Sequence, residues 1–324
     1  SDTVYLVPGG LAKEFLTHCG FELIVHDSKP LIKICGEDIK ISFDSMLAAY
    51  LLNPSARDYS LKRLAAEYSA VLPSVDGREM DGDSSGQLSF GHIDKAEEYD
   101  DIIFDAALLA SVAPQLQSEI SALGMEHLLY DVEIPLAYVL ADMELAGFSV
   151  DAEGIRRYGV TLGGEIDRLQ SEIYDMVGYE FNLNSPKQLS DALFVKLGLP
   201  GKKKTKSGYS TDVEVLQSLA DRHPVIEKIL YYRQVSKLKS TYCDALLKVI
   251  GEDGRIHSSF NQVETRTGRI SSAEPNLQNI PVRQELGREM RKFFIAAPGC
   301  LLCDADYSQI ELRVLAGVSG DKAM

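Results

Sequence analysis

Apolar residues recur at helical spacing over much of the chain, which predicts a largely helical fold with a few short strands. In Phe43–Tyr68 this spacing is broken at Asn53-Pro54, so the segment predicts two helices joined by a turn. The same periodicity runs from Glu97 to Gly147, with Pro114 and Pro135 at points where a helix starts or bends. Three apolar runs predict strands before these helices: Val4–Val7, Phe21–Val25 and Leu31–Cys35. Together these elements indicate a small α/β domain.

Helix-start signals recur in the middle of the chain. Val150-Asp151 precedes a helix predicted over about 152–177. Asn184-Ser185-Pro186 begins another helix, which is expected to end near Gly198. A basic loop then leads to Thr211 and Asp212, either of which is a suitable cap for further helices that extend to about residue 250.

The pattern changes after Gly251 to polar loops and short strands. An apolar run at Cys300–Tyr307 predicts a strand, and Ile310–Gly317 has the spacing of a helix. The last part of the chain therefore predicts a strand that turns directly into a helix.

Charge divides the chain more sharply than the apolar pattern does. The net charge of −15 argues at first against a polyanionic partner. Residues 1–130, however, contain 9 basic and 21 acidic residues, whereas residues 184–299 contain 19 basic and 12 acidic ones. Only the second region has the composition of a polyanion-binding surface.

Composition excludes some classes of protein. No apolar run approaches the roughly 20 residues that span a bilayer, so no membrane association is expected. The five cysteines are scattered and odd in number, which favours reduced thiols in a cytoplasmic protein over a disulfide framework.

A carboxylate stands at the end of the last predicted strand. Asp306 lies at the end of that strand, just before the helix that begins near Ile310, where carboxylate oxygens bind hard cations such as Mg²⁺ together with substrate phosphates. An acid at a strand end is also common as a helix cap or as a surface residue. The position alone leaves both interpretations open.

The segment around Asp306, DYSQIELR (306–313), resembles the first palm motif of family A DNA polymerases, the bacterial polymerase I type. TRTGRISS (265–272) and EPNLQNIPVR (274–283) resemble the segment that precedes this motif in the family, in the same order and spacing. Three further stretches are similar to the family's thumb: NSPKQL (184–189), KKTKSGYST (203–211) and YRQVSKLKSTY (232–242). The resemblance covers most of the chain and is strongest from Ile134 onward.

The resemblance implies an α+β multidomain fold. It comprises a degenerate ribonuclease H-like 3′-5′ exonuclease α/β domain in 1–127, a mainly helical thumb in 128–250 and the first part of the polymerase palm in 251–324. The implied activity is template-directed DNA polymerisation in replication and repair, by transfer of dNMP to a primer 3′-hydroxyl. The expected partners are primer-template DNA and dNTP, the expected cofactor is a pair of Mg²⁺ ions, and a monomer associated with the bacterial nucleoid in the cytoplasm is expected.

The same resemblance assigns the catalytic and nucleotide-binding residues. Asp306 matches one of two carboxylates that bind the catalytic metals, and the main-chain carbonyl of Tyr307 matches a further ligand. Glu311 matches the residue whose bulk excludes a 2′-hydroxyl, although without the motif it would be interpreted as a solvated helix residue. Gln309 is expected near the incoming nucleotide.

Residues that contact DNA are implied in two regions. Arg269 matches the residue that reaches the minor-groove acceptors at the primer terminus, which are similarly placed in every correct base pair. Neighbouring contacts are implied for Asn276, Gln278, Asn279 and Arg283, although amides in such loops also form Asx-type turns. Thumb contacts with phosphates, for which a solvated loop is the alternative, are implied for Lys202, Lys203, Lys204, Lys206, Tyr209, Ser210 and Thr211.

Some parts of a complete polymerase have no counterpart before Met324. They are the fingers helix and the later palm hairpin that carries the second carboxylate, so the chain alone is expected to be inactive. The alternative function is therefore a non-catalytic fragment that binds primer-template DNA. A single-subunit RNA polymerase is disfavoured by Glu311. Exonuclease activity is not expected either, because Asp27 and Asp105 lack the spacing of acids and tyrosine that such a site needs.

Overall fold

The structure, a computed structural model, describes residues 7, 9–18, 20–68, 95–201, 204–205, 208–280 and 285–323. Its α-helices in chain order are α1 (Gly9–His18), α2 (Ser28–Cys35), α3 (Ser45–Leu52), α4 (Leu61–Glu67), α5 (Lys95–Ala122), α6 (Glu126–Leu128), α7 (Ile134–Ala146), α8 (Ala152–Val177), α9 (Pro186–Ser190), α10 (Val213–Gln217), α11 (Val225–Leu238), α12 (Glu285–Arg291) and α13 (Ile310–Ser319). Its strands are β1 (Glu22–Val25), β2 (Lys40–Asp44), β3 (Phe148–Ser149), β4 (Lys204–Thr205), β5 (Gly208–Tyr209), β6 (Arg255–Ile256), β7 (Ser259–Asn261) and β8 (Ser271–Ala273). Turns of π-helix follow α6, α9 and α11, at Leu129–Glu133, Asp191–Lys196 and Lys239–Asp244.

The chain divides into two compact units. The first contains Ser1–Gly147 and His257–Asn279, and the second contains Phe148–Ile256 and Ile280–Met324. The domain boundaries expected near residues 127 and 250 stay predictions. The compact units instead divide after Gly147 because α7 packs against α2, and the hairpin β7–β8 belongs with the first unit because it contacts α7.

The first unit is built around a two-stranded parallel sheet. β1 pairs with β2, and α3 and α4 pack against the long helix α5. Phe43 on β2 and Leu116 on α5 are completely buried in the shared core. The predicted pair of helices on either side of Asn53-Pro54 is confirmed as α3 and α4, and Pro114 lies inside the continuous helix α5.

One strand prediction in this unit is wrong. Leu31–Cys35 belongs to the helix α2 rather than to a strand. In the helix Ser28, Ile32 and Cys35 come to one face, where all three are buried. A short apolar run fits both periodicities, and packing against α7 decides between them here. The run at Val4–Val7 lies almost entirely outside the described residues.

The second unit is mainly helical, and its long helix α8 begins and ends where the sequence predicts. The Asp151 carboxylate accepts a hydrogen bond from the Gly154 N–H at 2.8 Å and so caps the helix. Ile155, Leu162 and Leu169 form a buried stripe at seven-residue intervals, and α11 packs against this helix. The Ser185 hydroxyl caps α9 by accepting from the Gln188 N–H.

The predicted strand at Cys300–Tyr307 is wrong. This segment has no regular secondary structure, and every side chain in it is exposed. A strand is stable only when its backbone groups pair with a neighbour, and none of the described strands pairs with this segment. The predicted helix that follows is confirmed as α13. Among the helices of the described residues, none is long and apolar enough to cross a membrane.

Candidate nucleic-acid interface and catalytic carboxylate

Arg269 lies on the loop of the β7–β8 hairpin in the first unit. The strands pair antiparallel, with Ser259 opposite Ala273 and Asn261 opposite Ser271. Gly268 has a φ of 75°, a left-handed conformation that favours glycine, and it directs the chain back toward β8. We call residues 262–270 the hairpin loop. The exposed side chain of Arg269 stands near the end of this loop.

Polar side chains hold the hairpin loop in shape. The Glu264 carboxylate accepts hydrogen bonds from the Asn261 amide at 3.2 Å and from the Ser271 hydroxyl. The Thr265 hydroxyl donates to the main-chain carbonyl of Arg269 at 2.7 Å. The backbone that carries Arg269 is therefore ordered before any ligand arrives.

The amide-rich segment after β8 is exposed, and its side chains form local hydrogen bonds. The side-chain Oδ1 of Asn276 accepts a hydrogen bond from the Gln278 main-chain N–H at 3.0 Å, which makes an Asx-type turn. The Gln278 amide donates to the main-chain carbonyl of Ile270 at 2.8 Å, and Asn279 is exposed beside it. The structure thus brings Asn276, Gln278 and Asn279 to the hairpin loop, while Arg283 lies outside the described residues.

The thumb candidates in the second unit differ from one another in exposure. Tyr209 is half-buried and packs against Phe194 with 5.1 Å between ring centroids. Ser210 and Thr211 are buried, and their hydroxyls accept hydrogen bonds from the Asp212 N–H and the Arg233 guanidinium. These bonds give both hydroxyls a structural role, and a DNA contact through either would require the side chain to turn outward.

The four neighbouring lysines lie only partly within the described residues. Lys204 lies in the backbone pairing of β4 with β5. Lys202, Lys203 and Lys206 lie outside the described residues. Their contacts with DNA phosphates stay predictions.

Arg233 and Glu144 are two residues that the sequence did not single out. Burial lowers the pKa of the Arg233 guanidinium, which donates to the carbonyl and the hydroxyl of Thr211. Glu144 lies on the inner face of α7 in the first unit, where Lys29 and Lys33 each approach its carboxylate to 2.6 Å. A charged residue within the apolar sequence IPLAYVLADMELA is the signal that could have identified Glu144.

The Glu144 carboxylate is fully paired although it is only 5% exposed. Burial acts to raise its pKa, but hydrogen bonds from Lys29, Lys33 and the Phe260 N–H outweigh burial and hold the pKa below its usual value. The hydrogen bond from Phe260 is 2.8 Å long and connects these three charged groups to β7. Glu144 is therefore ionised and structural.

Asp306 lies in the exposed segment of the second unit that precedes α13. Tyr307 beside it is 80% exposed, and Gln309 takes a left-handed conformation with a φ of 52° at the start of the helix. Glu311 is exposed in the first turn of α13. The Arg313 side chain donates to the Ser308 carbonyl at 2.8 Å and closes the turn. The four predicted catalytic and nucleotide-binding residues are thus neighbours on one turn and one helix end.

The Asp306 carboxylate and the Tyr307 main-chain carbonyl have the right chemistry to bind Mg²⁺, but they do not make a complete metal site. A carboxylate and a main-chain carbonyl are hard oxygen ligands. Among the described residues, however, no three His, Cys, Asp or Glu side chains come together to bind a metal ion. These residues could therefore contribute ligands to a magnesium site, and the remaining ligands would have to come from elsewhere.

The buried acid Asp44 of the first unit serves the fold. Asp44 is buried, and its carboxylate accepts from the backbone N–H groups of Asp27, Ser28, Met46 and Leu47. Burial, followed by the negative charge of Asp44, raises the pKa of Asp27. A carboxylate that already accepts four backbone hydrogen bonds has little capacity left for a metal ion. The lack of exonuclease activity stays a prediction.

Comparison with known proteins decides the family. The profile of DNA polymerase family A matches residues 152–324, more than half of the chain. The chain belongs to DNA polymerase family A. The matched range contains Arg269, Asp306 and Glu311, whose roles stay predictions.

Curated relatives of this family A chain are DNA polymerase I proteins of bacteria. It is 44% identical to the DNA polymerase I of Lactococcus lactis subsp. lactis over 87% of this chain and 32% of that protein. It is 38% identical to the Bacillus subtilis DNA polymerase I over 98% of this chain and 37% of that protein. The chain thus spans about a third of the length of the curated relatives it matches.

A solved structure of similar fold is the POL domain of Pol1 from M. smegmatis in complex with DNA primer-template and dNTP. It shares 34% sequence identity with this chain at a TM-score of 0.78, covering 97% of this chain and 52% of that one. The mixed α and β architecture of the family A chain is therefore that of a polymerase domain.

Proposed function

We propose that this chain is the part of a template-directed DNA polymerase that binds primer-template DNA and supplies one carboxylate for nucleotidyl transfer. The observation that carries the proposal is the family A match over residues 152–324, which includes the motif at Asp306. The relatives named DNA polymerase I and the neighbour described with primer-template and dNTP support the same class of substrates.

The proposed role of Arg269 follows from its position. Its guanidinium is exposed at the end of a loop whose backbone is already ordered. Purine N3 and pyrimidine O2 accept hydrogen bonds in the minor groove at similar positions in every correct pair. Arg269 would donate to these acceptors at the primer terminus and so test the geometry of the pair without reading its sequence. Asn276, Gln278, Asn279 and Arg283 would contact the neighbouring sugars and bases.

The basic loop of the second unit is proposed to bind phosphates. Lys202, Lys203, Lys204 and Lys206 can replace counterions on the DNA, and each phosphate contact contributes about 0.9 to the slope of log affinity against log salt. Replacing all four with alanine should flatten that slope. An unchanged slope would show that the loop is only solvated.

Asp306 is proposed to act at the reacting end of the primer. With ligands from the rest of the polymerase it would help to bind Mg²⁺, which when bound activates the 3′-hydroxyl and neutralises charge on the triphosphate. Glu311 would lie against the sugar of the incoming dNTP, where its bulk excludes a 2′-hydroxyl, and Gln309 would lie beside it. Replacing Glu311 with alanine should then increase ribonucleotide incorporation.

The second candidate function is a non-catalytic fragment that binds primer-template DNA. The observation in its favour is that no group of three potential metal ligands assembles among the described residues. The two candidates differ in chemistry and agree in DNA binding, so one experiment can separate them.

The test is single-nucleotide primer extension with Mg²⁺, in the purified chain and in the full-length polymerase to which we assign it. Asp306→Ala should abolish extension by the polymerase and leave primer-template affinity within about tenfold, because phosphate contacts dominate affinity. Asp304→Ala is the matched control, since Asp304 lies in the same exposed segment and should leave extension unchanged. Comparable extension by Asp306→Ala would refute the catalytic assignment. No extension by the unaltered chain, with primer-template bound, would favour the second candidate.

A further inference from the structure

The hairpin loop is restrained by residues of the first unit that precede it by more than a hundred positions in the sequence. The Tyr50 hydroxyl on α3 donates to the main-chain carbonyl of Thr265 at 2.7 Å, across 215 positions of sequence. The Thr265 hydroxyl in turn donates to the carbonyl of Arg269 at 2.7 Å. Two hydrogen bonds therefore connect a buried tyrosine to the backbone of the residue proposed to touch DNA.

Other side chains hold the base of the same hairpin. The Lys29 ammonium donates to the Phe260 carbonyl, and the Glu144 carboxylate accepts from the Phe260 N–H. The Gln262 amide donates to both the main-chain carbonyl and the carboxylate of Glu133, at 3.0 and 2.7 Å. The inner side of the hairpin is thus restrained by helices α2 and α7 and by the π-helical turn before α7, while residues 266–269 remain exposed.

Restraint of this kind affects binding because a loop that is ordered before DNA arrives loses less conformational freedom on binding. Tyr50 is only 3% exposed, so its hydroxyl has no access to DNA itself. Its effect on affinity could pass only through the loop that it holds.

We propose that Tyr50 is a positioning residue for DNA binding, and that α2, α3 and α7 of the first unit serve to hold the hairpin loop with Arg269 in its binding conformation. This inference rests on the proposed function, because it assumes that Arg269 contacts primer-template DNA. It gives a function to a part of the chain for which we predict no exonuclease activity.

The neighbouring Tyr59 offers a matched control. Its ring packs edge-to-face on Tyr50 with 5.9 Å between centroids, and it is 8% exposed. Its hydroxyl donates at 2.8 Å to the carbonyl of Asn53, in the turn after α3 rather than in the hairpin. Tyr50→Phe and Tyr59→Phe each remove one buried hydroxyl that donates to one carbonyl, but only the first change frees the hairpin loop.

The experiment measures the dissociation constant for a fluorescent primer-template by anisotropy, together with the urea midpoint of unfolding. Tyr50→Phe should raise the dissociation constant about threefold to tenfold, the range of one hydrogen bond. Tyr59→Phe should leave the dissociation constant within about twofold. Both changes should lower the urea midpoint by similar amounts, because each removes one buried hydrogen bond. In an Arg269→Ala background, Tyr50→Phe should have no further effect on affinity, because the two residues act in series.

Two failures are distinguishable. If the unaltered chain does not bind primer-template, or if Arg269→Ala binds as tightly as the unaltered chain, the proposed DNA contact is wrong and the positioning role is overturned with it. If Arg269→Ala weakens binding but Tyr50→Phe does not, only the positioning role is overturned. Equal losses in Tyr50→Phe and Tyr59→Phe, or an undiminished effect of Tyr50→Phe in the Arg269→Ala background, would also overturn it, because both would indicate a general loss of stability.

Discussion

The hairpin loop and the segment 300–309 both carry predicted catalytic or binding residues, yet they are held very differently. The loop is closed by paired strands, by Glu264 and by bonds from Tyr50 and Gln262. The segment 300–309 has no strand partner among the described residues, and Leu301 within it is 94% exposed. Both belong to the same family match. Family membership therefore predicts the chemistry of a motif, while the placement of the motif depends on what packs around it.

Hydrogen exchange should show the largest difference between these two regions. Amides of β7 and β8 that are paired in the hairpin should exchange at least about a hundredfold more slowly than amides of residues 301–307, because unpaired exposed amides open at almost no cost in free energy. Exchange measured by mass spectrometry on short peptides checks this. Equal protection in the two regions would mean that residues 301–307 have found a strand partner.

Loss of the Glu144 carboxylate should be the most damaging single change at the base of the hairpin. Glu144→Ala leaves Lys29 and Lys33 near an empty space and should cost roughly 3–5 kcal/mol of unfolding free energy, as for other broken buried ion pairs. Glu153→Ala removes an exposed partner of Arg156 and should cost less than about 1 kcal/mol. Urea unfolding measures both. Similar small losses would show that the Glu144 carboxylate contributes no more to stability than an exposed ion pair does.

Part of the contribution of Glu144 to the unfolding free energy should depend on pH. The pKa of Glu144 is lowered in the folded chain from an ordinary value near 4.5, so the carboxylate stabilises the fold fully above that value. As the pH falls below about 4.5 and through the lowered pKa, this stabilisation should be lost. The free energy of unfolding of the unaltered chain should therefore fall more steeply with acid than that of Glu144→Gln. Parallel pH profiles would contradict the assignment.

Smaller effects on the unfolding free energy are expected from changes to the buried hydroxyl of Ser272 and to the exposed side chain of Leu301. Ser272 on β8 is buried, and its hydroxyl accepts from the Leu277 N–H at 2.8 Å. Ser272→Ala should cost about 1–3 kcal/mol because it leaves that N–H without its acceptor. Leu301→Ser should change the unfolding free energy by less than about 0.5 kcal/mol, because the leucine is already in solvent. A large loss in Leu301→Ser would place this side chain in a core.

Local signals in the sequence were sufficient to predict where several helices begin or end. Asp151 and Ser185 form the predicted caps, and the break at Asn53-Pro54 separates α3 from α4 as expected. These features depend on a few adjacent residues, so sequence carries them directly. The runs at Leu31–Cys35 and Cys300–Tyr307 were wrongly predicted as strands, because whether an apolar run forms a strand depends on a neighbour that local sequence does not specify.

The sequence by itself determined the family, through the motifs at Arg269 and Asp306, and the positions of the long helices, through their periodicity and caps. Tertiary structure decided that Tyr50, Glu133 and Glu144 meet the hairpin more than a hundred residues later in the chain. It also decided that the hydroxyls of Ser210 and Thr211 have partners inside the fold. The physical reason is that caps and periodicity arise from residues close in sequence, whereas the partner of a buried hydroxyl or carboxylate is set only when distant segments pack together.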